Sequence, residues 1–422
     1  MIRSIRRPSV GFAALGASFV AAFTLACGSE EPTGAPAGQG DPGDAGTQQT
    51  GGDGGAGDGS PTVSRACVRG AQQRVSAAPG DSLHPTLAAG PGGAAVIWDD
   101  ARTEPVRAYF ATLDPTAKPS PEVLIPWTSS SAVTTPSVAW GGAGWLATWV
   151  DGNKLYARPF DATSAPVGDL VELAIPAQGY TPTIVGTGAG YGVVWTTGTQ
   201  VGPDGDLYFA ALDQQGAFAI SPVKVTASAF KEFVPQLAWN GTTFGLLWVD
   251  TRGAEPQLGF RELDALGQPK GEEKFLASGV DNVVSSSLVW TGDGYATAWY
   301  KDSAQHVALL DASGNLAKGP KTIPTPKGSP RTLAVASLAW RDGRLGAAYQ
   351  WRDTTVPNAR PRLYFVELDG DLDASSGIIE VVTTQDGALG HHPSMVPTKD
   401  GYMLAWVGAP AWDVYANTIT CR

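Results

Sequence analysis

Two stretches of this 422-residue chain follow a tryptophan with an aspartate and, two residues beyond it, an arginine: Trp98-Asp99-Asp100-Ala101-Arg102 and Trp248-Val249-Asp250-Thr251-Arg252. Other tryptophans are followed by Asp151, Asp302 and Asp353. A ring of such carboxylates could hold Ca2+, which takes oxygen ligands, or the hydroxyls of a sugar. Each aspartate could equally cap its own turn or pair with the neighbouring arginine. A residue repeated this often is more often architecture than a unique site. A second set joins tryptophan to charge: Trp351, Arg352 and Asp353, then Trp412 and Asp413. An exposed tryptophan in that company suits stacking on a sugar or gripping a peptide; a buried one would only cover an edge. His84, His391 and His392 could take a transition metal, although no cysteine or evident carboxylate completes the set. Asp369, Asp371, Asp373 and Glu380 have the oxygen spacing of a calcium loop, but Ala374 stands where such a loop needs glycine. No nucleophile elbow or zinc-protease motif appears, so binding is better supported than catalysis.

These residues sit on a repeat. Its clearest copy runs Ser287-Leu288-Val289-Trp290, Thr291-Gly292-Asp293-Gly294, Tyr295-Ala296-Thr297-Ala298-Trp299 and His306-Val307-Ala308-Leu309-Leu310-Asp311. The aromatic closing the second segment recurs as Trp98, Trp149, Trp195, Trp248, Trp299, Tyr349 and Trp406. A first segment ends at a constant distance before each, and a third ends in Leu-Asp at Leu113-Asp114, Leu212-Asp213, Leu263-Asp264, Leu310-Asp311 and Leu368-Asp369. The segments are short, rich in Val, Leu, Trp, Tyr, Phe and Thr, and bounded by Gly, Asp, Asn and Pro, which predicts strands. Gly-Asp-Gly, Asn-Gly-Thr and Asp-Gly-Arg read as hairpin turns. Second segments such as Phe244-Gly245-Leu246-Leu247-Trp248 are apolar on both faces, as a strand covered on both sides can be.

Repeats of about 50 residues with four short strands resemble β-propeller blades. The resemblance is to the Trp-rich propeller repeats of bacterial exported proteins, over residues 65–422. It implies an all-β fold, a seven-bladed β-propeller closed by a mixed N/C-terminal blade. The seventh copy stops after its third strand, and the segment from Cys67 to Val75 reads as a fourth strand without its first three. Laid on an intact copy, Cys67 falls on Gln268 and Cys421 on Ala265, two corners of one turn. That predicts a Cys67–Cys421 disulfide. By the same resemblance, loops between second and third strands ring the channel mouth, where ligands usually bind. The motifs of sialidase, WD40, kelch and quinone-binding propellers are absent.

The chain ends add an address. Arg3, Arg6 and Arg7 precede an uncharged apolar run, so residues 1–26 read as an export signal. Phe23-Thr24-Leu25-Ala26-Cys27-Gly28 resembles the bacterial lipobox, with Thr24 standing three before the cysteine where an aliphatic residue is commonest. The resemblance implies a lipid on Cys27 and, with Gly28 and Ser29 following, the outer membrane. Residues 27–64 read as a disordered Gly/Asp/Pro-rich tether spanning roughly 30–35 Å. The net charge of −11 offers no basic stripe, which argues against nucleic-acid binding. The expectation is a monomeric binding module for an envelope glycan or protein, touching the membrane through its lipid alone, with no cofactor beyond Ca2+. The alternatives are a scaffold role in an outer-membrane assembly and a polysaccharide hydrolase or lyase.

Overall fold

The second strand of each repeat is apolar on both faces, and the neighbouring blades cover both: in blade 4, Leu246 and Trp248 pack toward blade 3, and Leu247 and Val249 toward blade 5. A computed structural model describes residues 65–422 except 78, 126–132, 153, 174–178, 198–204, 227, 229–230, 281–285, 327–329, 333–335, 354–355, 357–359, 383–389 and 409–411. The expected signal, Cys27 and the tether lie outside the described residues. Seven antiparallel sheets follow one another, six of them built in sequence order from strand one to strand four and the seventh taking its outer strand from the N-terminal side. The first strand of each sheet touches the first strand of the next, and the seventh returns to the first. The result is a seven-bladed β-propeller with no helix among the described residues.

Seven apolar clusters lie one at each junction between blades. Each cluster contains one repeat aromatic, and all seven are buried. In six blades the aromatic lies over a ring on the paired third strand, as with Trp98 on Tyr109 at 6.0 Å and Trp406 on Tyr415 at 6.2 Å. Blade 4 differs: Trp248 pairs with Gly259, where an added Cβ would come within 2.6 Å of the indole.

Two local devices recur. In six blades the aspartate after the third strand, preceded by Leu or in blade 2 by Phe160, accepts the amides two and four residues on, at Asp114, Asp161, Asp213, Asp264, Asp311 and Asp369. The residue three on takes positive φ, whether glycine (Gly216, Gly267, Gly314) or not (Ala117, Ser164, Leu372). The carboxylate thus replaces backbone partners that a left-handed residue cannot supply. In five first strands the residue before proline also has φ between 47° and 52°, at His84, Thr135, Thr181, Val234 and His392. Each sits at a register shift between the first and second strands. Hydroxyls just past these positions stitch blades together: Thr86 to the Pro136 carbonyl, Thr183 to the Pro235 carbonyl, and Ser394 receiving the Leu87 amide.

The ring closes as expected. Cys67–Arg69 pairs with Asp413–Cys421 and supplies the outer strand of blade 7. Cys67 and Cys421 form a disulfide with Cα atoms 4.0 Å apart. The register differs by one residue from the turn alignment. Val68 lies opposite Thr420, so the cysteines face each other directly. No Leu-Asp turn intervenes here, and strand pairing simply runs on to the bond.

Candidate functional site at the junction of blades 3 and 4

The two Asp-x-Arg stretches occupy equivalent corners. In blade 1, Ser82–Gly90 pairs with Gly93–Asp100 and sets Ser82 opposite Asp100. In blade 4, Glu232–Trp239 pairs with Phe244–Asp250 and sets Glu232 opposite Asp250.

Asp100 is fully partnered. Ser82 Oγ donates to it at 2.8 Å, Trp98 Nε1 at 3.1 Å, and Arg102 through its backbone amide, Nε and Nη2 at 2.9, 2.8 and 2.7 Å. Burial alone would raise its pKa, but these donors, Arg102 foremost, hold it below the usual carboxylate range. Arg102 lies over the Tyr109 ring at 4.0 Å and reaches Glu122 at 2.6 Å.

Asp250 has the same arginine. Arg252 donates its amide at 2.7 Å and Nε at 2.8 Å, and Trp248 Nε1 reaches Oδ2 at 3.3 Å. Opposite it stands a second carboxyl in place of the serine. Glu232 has no exposed surface. Arg252 Nη2 reaches its Oε1 at 3.2 Å, while Oε2 is buried without a hydrogen-bond partner among the described residues. Like charges opposed across a strand pair repel. Burial, with repulsion from Asp250 and Glu273, pushes Glu232 up to about 8 against the pull of Thr226 and Arg252. Glu232 therefore holds its proton through neutral pH.

A cleft of ≈ 270 Å³ opens beside this pair, lined by Lys224, Thr226, Arg252, Arg261, Pro269 and Glu273 among others. Phe218–Lys224, the last strand of blade 3, provides one wall. Arg261 and Glu273 come from the third and fourth strands of blade 4, Gln257–Leu263 and Pro269–Ser278. Arg252 joins cleft and carboxyl pair, reaching Glu273 at 2.7 Å on one side and Asp250 and Glu232 on the other. The arrangement offers a wall of N–H and O–H donors, one carboxylate acceptor, and a buried carboxylic acid behind them.

The other expected site residues are scattered among the blades. Asp151 is buried at the end of the second strand of blade 2, Trp145–Asp151. Asp302 is exposed and forms, with Ser303, a two-residue hairpin loop at φ 50° and 63°. Of the two readings for Trp351 the structure takes the covering one: it is 6 % exposed, because the second strand of blade 6 runs on from Arg344 to Asp353 and presses its indole edge-on to Tyr364 at 5.6 Å. Arg352 and Asp353, half-buried, end that strand. Trp412 is half-buried, and its carbonyl receives the Ser82 amide at 2.7 Å, tying blade 7 to blade 1. Asp413 is buried and pairs with Arg74 at 2.7 Å.

The histidines of blades 7 and 1 do meet. His84 and His392 contact edge-on with ring centroids 4.8 Å apart, and His84 Nδ1 lies 2.9 Å from Asp99. Burial works against the imidazolium, yet the Asp99 hydrogen bond and charge raise its pKa overall. The His391 side chain lies outside the described residues. The calcium-loop acids do not converge: Asp369 caps its turn, Asp371 pairs with Lys318, Asp373 with Lys321 and Glu380 with Arg362.

Glu232 escaped the sequence reading. Its signal was present: at the residue two before the pre-proline position, the copies carry Ser82, Val133, Gly179, Glu232 and Gly390, and only one is charged.

No protein-family model matches this chain, and no curated protein matches it. Among solved structures it is similar to a subtype N11 neuraminidase-like protein of A/flat-faced bat/Peru/033/2010 (H18N11), at 8 % identity and TM-score 0.45, covering 73 % of this chain and 96 % of that one. It is also similar to a prolyl endopeptidase (12 % identity, TM-score 0.49, 82 % of this chain and 50 % of that one). A third is the Pyrococcus horikoshii acylaminoacyl peptidase (9 %, TM-score 0.48, 81 % and 52 %). The chain spans about half the length of the two peptidases.

Proposed function

We propose that this propeller is an exported binding module that takes a hydroxyl-rich ligand, a glycan segment, in the cleft between blades 3 and 4. The observation that carries the reading is the donor-lined cleft beside the Glu232–Asp250 pair. Its volume lies just below the roughly 300–1,000 Å³ common for small-molecule sites. Lys, Arg and Thr donors with one carboxylate suit sugar hydroxyls. The Cys67–Cys421 disulfide is consistent with an exported protein. Lipid attachment at Cys27 and an outer-membrane address complete the proposal. Fatty-acid labelling that disappears in Cys27→Ala tests the first, and membrane fractionation the second.

The test of binding is a glycan screen on the oxidised protein with and without chelator. Because cations line the cleft, a specific hit should be indifferent to chelation and weakened at least tenfold in Lys224→Ala or Arg261→Ala. A hit untouched by both substitutions rejects the cleft.

A polysaccharide hydrolase is the second reading, favoured by a carboxylic acid that keeps its proton at neutral pH beside a second carboxyl. Turnover of a bound glycan, lost in Glu232→Gln while binding persists, would support it. Binding without turnover would leave the module reading alone.

A further inference from the structure

The ring closure holds a group that a structural disulfide does not need. Glu367, on the third strand of blade 6, Arg362–Leu368, has no exposed surface. One of its carboxylate oxygens and both cysteine sulfurs lie within 4.8 Å of one another. Three side chains fix that carboxyl: Tyr402 Oη donates to Oε1 at 3.0 Å, Ser375 Oγ to Oε2 at 3.4 Å, and Arg65 Nε lies 3.7 Å from Oε2. Arg65 also donates to the Cys421 carbonyl at 2.9 Å. Burying a carboxylate is costly, and closing the ring through sulfur alone does not require one.

We propose that Cys67, Cys421 and Glu367 form a soft divalent metal site when the disulfide is reduced, so that zinc can close the ring where oxidation has not. Thiolates and carboxylates are both Zn2+ ligands, and three protein donors leave a fourth tetrahedral position for water. The charges balance: two thiolates and one carboxylate against the ion and Arg65. The donors come from three separate segments, the N-terminal strand, blade 7 and blade 6, so the ion would span the same junction as the bond. The chemistry also balances. A phosphine reductant takes the oxygen of one water, and the two electrons it gives up break the S–S bond and leave two thiols. Zinc then displaces two thiol protons to solvent. Cys421 is almost fully buried and Cys67 half-buried, so reductant and ion would enter from the Cys67 side.

The experiment uses the whole chain, reduced with a phosphine and freed of excess reductant, and titrated with zinc alone. Bound metal is counted by atomic absorption and affinity is read by competition with a chromophoric chelator. One zinc per reduced chain and none per oxidised chain is expected. Zinc should raise the melting temperature of the reduced protein, because binding must favour the native state. Glu367→Gln should weaken zinc at least tenfold, and Cys67→Ser, whose ring is open in the same way, should lose the site. Cobalt in reduced wild type should give the visible and charge-transfer bands of tetrahedral thiolate coordination, a readout that does not depend on how the variants fold. Reduced wild type that binds no more zinc than Cys67→Ser overturns the proposal. So does zinc that leaves the melting temperature unchanged, or a folded Glu367→Gln that binds as tightly as wild type.

Discussion

Blades 1 and 4 carry the same corner with one substitution. Both end the second strand in an aspartate that receives an indole N–H and an arginine. Opposite that aspartate blade 1 has Ser82, a donor that completes its hydrogen bonding. Blade 4 has Glu232, which keeps its proton rather than set a second charge against Asp250 and has one buried oxygen without a partner among the described residues. The same Asp–Arg pair is therefore finished architecture in one blade and an unfinished, proton-holding site in the other. The difference teaches that a repeated motif is not by itself a site; the residue paired across the strand decides.

The largest effect should come from taking away the cation that both corners share. In Arg252→Ala, Asp250, Glu232 and Glu273 lose their common partner, and the loss should approach about 3–5 kcal/mol, the range for breaking a buried pair. Arg102→Ala should cost less, because Ser82 and Trp98 still donate to Asp100. Urea denaturation of both variants checks the order.

Next is the pH dependence. Glu232 rises from 4.5 to about 8 on folding. Between those values the native chain holds a proton that the unfolded chain has lost, so stability falls as pH rises through that window. Below it both states are protonated and the penalty is absent. Each unit is about 1.4 kcal/mol, so the full effect is on the order of a few kcal/mol. Glu232→Gln should remove the slope and be more stable than wild type at pH 9. The reverse graft, Ser82→Glu, should give blade 1 a similar alkaline weakness. Melting curves at pH 6 and pH 9 test both.

The smallest effect belongs outside the corners. Asp302 sits in an exposed two-residue loop at positive φ, where glycine is at ease. Asp302→Gly should shift stability by no more than a few tenths of a kcal/mol and leave ligand binding intact. Chemical denaturation would show a larger change if this aspartate formed part of a site.

Much of the fold was legible because its signals are local and repeated. The spacing of Trp98 to Trp406 gives seven blades, and the incomplete seventh copy with two cysteines gives the closure. The one-residue register error at Cys67 arose because an intact turn was used as template where strand pairing continues instead. Whether Trp351 is exposed or covers an edge stayed open in the sequence, because nothing in its neighbourhood shows that the blade 6 strand continues through it. Glu232 was hidden for a different reason. Its meaning depends on a partner eighteen residues away across a bulged strand pair, and only comparing the five equivalent positions shows a charge where the others carry Ser, Val or Gly.

The most direct measurement is a carbon-detected NMR titration of the side-chain carboxyls, with Glu232 assigned by its loss in Glu232→Gln. The account predicts a Glu232 midpoint near 8. A midpoint at the ordinary glutamate value near 4–5 would contradict it, and blade 4 would then be architecture of the same kind as blade 1.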